Sequence, residues 1–465
     1  MPVPLLFART SLLRRYAPVG LALLFAACSA PSVDAPLMSP DAMRAAKAAQ
    51  GPTVTSTNPS YGDRGTTVDV HVIGSGFTDS AQATWLLHGV ADPTHVRTNS
   101  TTYVSSTELV ANITIASDAT LDYWDVQVAL RGGKNGVGTE SFEITTAQAL
   151  GAAEFVYAGS VTGQAAGYNG GSTAFAYDDA FGMLNLGEGQ AWALDPLGTM
   201  VLGRTGGMPT AWMRQGTPSP FVAVTLPISA GMTSGNAAAS ARDASGALLV
   251  GGWETYIPKK GATPVPRPVR WRYDGSWSAP MVYALTPGGI RGTLLGINSA
   301  GQAVGRSDDA SINGAVWDTP ASPVKLDGIP NTLNSASTLI VGARNSQPVF
   351  WTRTAAGTWN TVGIALPSLG GTCGGAAIGL NDDGVVVGRS CDARGNINAA
   401  IWRIDVSVTP AVVSGPQRLP GLGVRHGANS NENSTAVYVS PVAPYTVVGG
   451  SSTQNGAQAV RWLTW

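Results

Sequence analysis

Two hydrophobic rhythms divide the chain. From Gly51 to about Thr145, apolar and polar residues alternate over short runs, as in Val68-Asp69-Val70-His71-Val72 and Trp124-Asp125-Val126-Gln127-Val128. A strand with one packed face and one wet face leaves this pattern, because successive side chains point to opposite sides. Seven or so such runs, separated by Gly and Pro, predict an immunoglobulin-like β-sandwich over residues 51–146. Ahead of them an apolar run from Ala17 to Ala27 follows Arg9, Arg14 and Arg15. It falls short of the ~20 residues a bilayer crossing needs and has the size of a signal-peptide hydrophobic region. Residues 29–50 are rich in Ala, Pro and Ser, hold too little apolar surface to fold alone, and read as a flexible tether.

Beyond residue 150 the second rhythm is an internal repeat. Its clearest copies are Gly296-Ile297-Asn298-Ser299-Ala300-Gly301-Gln302-Ala303-Val304-Gly305-Arg306-Ser307 and Gly379-Leu380-Asn381-Asp382-Asp383-Gly384-Val385-Val386-Val387-Gly388-Arg389-Ser390. Each runs on to a third strand ending in Trp317 or Trp402, then to a short strand holding Leu326 or Leu419. Weaker copies place a glycine and an aromatic at Gly167 and Tyr177, Gly203 and Trp212, Gly251 and Trp271, Gly342 and Trp351, and Gly449 and Trp462. A four-stranded unit cannot cover both of its own faces, so stacking around an axis is expected. The fold predicted for residues 150–465 is therefore a β-propeller of seven blades, with six or eight as alternatives. The last unit stops just past its third strand, so its fourth is expected from near residue 150.

Three resemblances sharpen the picture. The ending Leu24-Phe25-Ala26-Ala27-Cys28 resembles the bacterial lipobox, which implies cleavage after residue 27 and acylation of Cys28; ordinary signal cleavage is the alternative. Ser29, where an Asp would retain a lipoprotein at the inner membrane, implies the outer membrane or cell surface. Asn58-Pro59-Ser60-Tyr61-Gly62, Gly65-Thr66-Thr67-Val68 and Gly74-Ser75-Gly76-Phe77, with Val104–Ala111 and Tyr123–Val128, resemble the IPT/TIG domains over residues 52–145. That implies a spacer or contact module without chemistry. The two clear repeats, with Leu366-Pro367-Ser368-Leu369-Gly370-Gly371 and Leu419-Pro420-Gly421-Leu422-Gly423, are similar to extracellular HAF repeats.

Composition supports turn-rich β structure: 44% hydrophobic, 12% charged, with 58 Gly and 30 Pro. A net charge of -1 supplies no field to draw the molecule to nucleic acid. Cys373 and Cys391 flank a predicted hairpin whose pairing of Leu380 with Val385 sets them within one residue of facing each other, near enough for a disulfide. Such a bond belongs to an oxidising compartment; two buried thiols are the alternative.

Candidate chemistry is sparse. The recurring Trp and Tyr residues suggest sugar-stacking faces, but packing between blades accounts for them. The recurring glycine reads as a bulge or a close approach to the neighbouring blade rather than a phosphate loop. Acidic pairs at Asp178-Asp179, Asp308-Asp309 and Asp382-Asp383 could ligate calcium or act as acid and base, whereas turn geometry explains the last of them, and also Asp274-Gly275. His71, His88 and His95 fall in the sandwich, leaving His426 alone in the propeller. No catalytic residues, metal site or cofactor is implied. Arg204, Arg306, Arg344 and Arg389 follow the post-strand glycine in four units, and a cationic ring near the axis would bind carboxylated or sulfated polymer. The expected role is non-catalytic binding of envelope polysaccharide or protein. A propeller-type lyase or glycosidase is the alternative, since blades far apart in sequence converge at one channel.

Overall fold

The computed structural model describes residues 51–215, 221–308, 313–422, 433–453 and 456–464, and every regular element in them is a strand. Cys28, His426 and Asp309 lie outside these residues.

The first module is a sandwich. Thr53–Asn58, Thr67–Ser75, Glu108–Ile115 and Val96–Ser105 form one sheet in that order. The other is built from Tyr61–Asp63, Asn135–Thr145, Tyr123–Ala129, Gln82–Leu87 and Val90–Ala91. The alternation predicted from sequence lands on the inner faces. Val70 and Val72 from one sheet and Trp124, Val126, Val128 and Trp85 from the other are completely or almost completely buried in one core.

Seven four-stranded antiparallel sheets follow. Their first strands are Phe155–Gly159, Gln190–Leu194, Ser234–Arg242, Arg291–Ile297, Ile329–Leu333, Gly370–Leu380 and Ser434–Val439, which define blades 1 to 7. The first strand of each blade touches that of the next, and blade 7 returns to blade 1. The seven first strands thus ring a central axis, and the sheets form a β-propeller. Blade 7 completes itself by borrowing: Ala147–Ala152 pairs with Gly456–Thr464, the last strand of the chain. Only Thr146 separates that borrowed strand from the sandwich.

The repeat's residues have definite work. In every blade the first and second strands pair with a one-residue bulge in the first, beginning directly opposite the recurrent glycine. The bulge pushes the first strand's carbonyl inward. A Cβ on Gly305 would stand 2.0 Å from Thr293 O, and one on Gly388 2.1 Å from Ala376 O. The close approach is therefore within the blade rather than to its neighbour, and only glycine fits. In blade 3 the pairing makes Gly252, not Gly251, the equivalent residue, because Gly252 faces Ala237 at the start of the bulge.

The third-strand tryptophans are internal. Trp212, Trp271, Trp317, Trp351, Trp402 and Trp462 are all at most 1% exposed. Several also bind the chain that enters their blade: Trp402 Nε1 donates to Pro367 O (2.9 Å), Trp271 Nε1 to Pro227 O (2.7 Å) and Trp462 Nε1 to Pro420 O (2.6 Å). The Leu-Pro end of one unit and the Trp of the next are thus two halves of one joint. Leu buries its side chain, and the following carbonyl takes the indole proton.

Candidate ligand site at the channel mouth

At one end of the propeller lie the turns between first and second strands, headed by Ser160, Asp195, Asp243, Asn298, Asn334, Asn381 and Ser440. Each head residue donates its backbone N–H across the turn to the start of the second strand. Their side chains serve the fold. Asn381 Oδ1 accepts from Val385 N (2.9 Å) while its Nδ2 donates to Ser440 O of the next blade (2.9 Å), and Asn298 Nδ2 reaches Asn334 O likewise (3.3 Å).

Two of the acidic pairs prove to be clasps between blades. Asp178 pairs with Arg214 of blade 2 and Asp179 with Arg461 of blade 7 (2.9 Å), so the pair ties blade 1 to both neighbours. The Arg461 hydrogen bond holds the Asp179 carboxyl below the usual carboxylate range. Asp382 accepts from Ser335 N of blade 5 (2.7 Å) and Asp383 from the Tyr445 hydroxyl of blade 7 (3.1 Å), doing the same for blade 6. Asp308 is 3% exposed and held by Arg291 (3.2 Å) and Arg306 (2.8 Å). The histidines of the sandwich each face a carboxylate: His71 with Glu108, His88 with Asp122 and His95 with Asp92. Cys373 and Cys391 are joined in a disulfide, Cα to Cα 5.5 Å. The predicted register is corrected: Leu380 pairs with Val386, not Val385, and the register shifts at the bulge and again between Gly370 and Gly375, the stretch that holds Cys373.

The bulges of the first strands, three residues ahead of the turn-heading residue in six blades and five ahead in blade 3, hold a different set. Each bulge turns one half-exposed side chain out of its first strand: Ala238, Leu295, Asn331, Ile378 and Val437 in blades 3 to 7, but Tyr157 and Trp192 in blades 1 and 2. These two aromatic rings lie 4.6 Å apart between centroids. Tyr168 stacks on Tyr157 at 5.4 Å and 12°, and Phe155, 41% exposed, sits 5.2 Å from Tyr168. The Tyr157 and Tyr168 hydroxyls are 3.3 Å apart. Burial, with the Tyr168 hydroxyl second, pushes the Tyr157 phenol far above its ordinary range, and the Arg389 guanidinium opposes the rise. Tyr157 is therefore a neutral hydrogen-bonding ring. Trp192 Nε1 is screened from solvent and meets no acceptor among the described residues.

The four recurrent arginines do not share one environment. Arg344 stands two residues past Gly342 rather than one, hence on the other face of its strand, and pairs with Asp327. Arg306 is tied to Asp308. Arg204 donates to the neutral Gln190 Oε1 (2.9 Å), on the blade that carries Trp192. The Arg389 side chain has no hydrogen-bond or ion-pair partner among the described residues, and its charge is felt at Tyr157. No carboxylate occupies the bulge, or the position before it, in any of the seven blades.

The cluster Phe155, Tyr157, Tyr168 and Trp192 escaped the sequence reading because the repeats were aligned on second-strand glycines and third-strand aromatics. Aligning first strands, with the bulge counted, would have exposed two aromatics where five blades have none.

Fold and site together define an all-β, two-module protein whose propeller carries an aromatic cluster on blades 1 and 2. No protein-family model matches the chain, and no curated protein matches it by sequence. Among solved structures it is similar to a Salmonella alpha-2-macroglobulin reacted with methylamine, at 12% identity and a TM-score of 0.17, over 89% of this chain and 23% of that one. It is also similar to the extracellular domain of a putative hybrid two-component system from B. thetaiotaomicron, at 8% identity and a TM-score of 0.19, over 88% and 77%. The chain thus spans about a quarter of the length of the macroglobulin.

Proposed function

We propose that the protein is an exported, non-catalytic binding module of the bacterial envelope, with the aromatic cluster of propeller blades 1 and 2 making the contact. The observation that carries this reading is the pair Tyr157 and Trp192, set where the repeat needs only a small, aliphatic or amide side chain. Half-exposed ring faces bind apolar faces of ligands. Among the described residues, Asp308 and Asp327 of the neighbouring blades 4 and 5 are engaged by arginines, which disfavours them as free acid and base groups.

The disulfide fits an oxidising compartment beyond the cytoplasm. The lipobox-like ending at Cys28 supports anchorage in the outer membrane, with residues 29–50 as tether and the IPT/TIG-like sandwich as spacer. The partner is an envelope polysaccharide or protein. Purified protein incubated with envelope polysaccharides and envelope protein extract should retain material that is chemically unaltered. Shortened or unsaturated polymer, produced with turnover, would instead establish a propeller-type lyase or glycosidase.

A further inference from the structure

We infer that this aromatic cluster takes a carboxylated pyranose, a uronate residue of an acidic polysaccharide, with its C–H face on Tyr157 and Trp192 and its carboxylate directed to Arg389. This rests on the binding-module reading and adds the ligand class.

The seven blades are an internal control. Their bulge position accepts Ala238, Leu295, Asn331, Ile378 or Val437, so nothing in the fold demands an aromatic ring there. Blades 1 and 2 nevertheless carry rings, 4.6 Å apart and inclined at 39°, backed by Tyr168 and Phe155. Trp192 also leaves an indole donor without an acceptor among the described residues, a cost that an aliphatic residue at that position would avoid. Two inclined, half-exposed rings offer a stacking surface to one face of a saturated ring with axial C–H bonds, and the Tyr157 hydroxyl stays protonated to share hydrogen bonds with ring substituents.

Charge selects the acidic sugar. Arg204 and Arg389 have no carboxylate partner among the described residues, whereas Arg306 and Arg344 do. No acid stands at the bulge positions; the nearest carboxylate in sequence, Glu154 beside Phe155, accepts from Gly170 N at 2.7 Å. A guanidinium presents paired donors that match a carboxylate's two oxygens. A neutral glycan would leave Arg389 unused, and a cationic one would be repelled.

The test uses the full chain in detergent, titrated with an oligogalacturonate and with the same oligomer after reduction of its carboxyl groups, following tryptophan fluorescence. The acidic oligomer should bind, more weakly as salt rises. Reduction should weaken it about tenfold, the loss of one charged hydrogen-bonded contact. Arg389→Gln should remove that preference and leave binding of the reduced oligomer unchanged. Tyr157→Val and Trp192→Leu install residues that blades 7 and 4 carry at the same position, so they should fold, and they should abolish binding of both oligomers. Equal affinity for acidic and reduced forms, or binding that survives both aromatic replacements, overturns the inference. If the oligomer fails to bind while envelope material is still retained, the uronate assignment falls and the binding module stands; if nothing is retained, both fall.

Discussion

Replacing Arg418 with Met would strand a charge at the joint between sandwich and propeller. Arg418 closes the last strand of blade 6 and reaches into the sandwich. It pairs with Glu143, lies 3.7 Å from Asp122, donates from Nε to Asn398 (3.2 Å), and sits 3.7 Å above the Tyr123 ring. Glu143 is completely buried and also accepts from Gly421 N at 3.1 Å. Two opposite charges about 4 Å apart attract by about 4 kcal/mol at an effective dielectric near 20. Breaking a buried pair by removing one partner typically costs about 3–5 kcal/mol, because the other charge is left uncompensated. Met preserves the apolar stem, so the loss reports the charge. The expected result, in urea unfolding followed by tryptophan fluorescence, is a drop of that size in the stability of whichever transition contains the sandwich. Adding Glu143→Gln should recover at least half of it, since the orphan charge is then gone. A single variant within about 1 kcal/mol of the parent, or a double variant no better than the single, would refute this account of the joint.

Three further outcomes are expected. Gly388→Ala, which forces a Cβ to 2.1 Å from Ala376 O, should cost about 1–3 kcal/mol or more, read as a lowered Tm, whereas an unchanged Tm would mean the bulge can relax. Replacing Cys373 and Cys391 together by Ser should cost about 3 kcal/mol, given their separation of 18 residues, and reductant should destabilise the parent but not the variant. Asp243 is held at about 2, against 3.8 unperturbed, chiefly by the Ser245 hydroxyl and then Arg272. A lowered folded-state value stabilises above the unfolded one and is lost as pH falls from about 4 to about 2. The stability gap between parent and Asp243→Asn should therefore close over that window, and a gap independent of pH would contradict the assignment.

Much of the architecture was legible because the repeat is written in residues with single structural uses. A glycine that no other residue can replace, a tryptophan that fills a blade and a Leu-Pro that crosses to it recur in order, and counting them yields the seven sheets. The cysteine pairing was readable because the two residues flank one hairpin, although its register runs Leu380 to Val386 rather than to Val385. What escaped depends on register or distance. Two adjacent glycines, Gly251 and Gly252, are indistinguishable until the bulge in the opposing strand selects one. The same bulge hides the equivalence of Tyr157 and Trp192 with Val437 and Leu295. Arg418 and Glu143 stand 275 positions apart, beyond any local pattern.

The borrowed strand of blade 7 bears on how the molecule reaches its final form. Ala147–Ala152 leaves the ribosome or an export channel well ahead of its partner Gly456–Thr464, which follows about 300 residues later. Through that interval it is an unpaired β edge, the kind of segment that recruits wrong partners. Its sequence, Ala-Gln-Ala-Leu-Gly-Ala, offers only Leu150 as a large apolar side chain and interrupts itself with Gly151 at a bulge. A strand so poor in β-formers holds poorly to a stray edge but suffices once a preformed blade presents its whole length. Weak self-adhesion is what lets it wait.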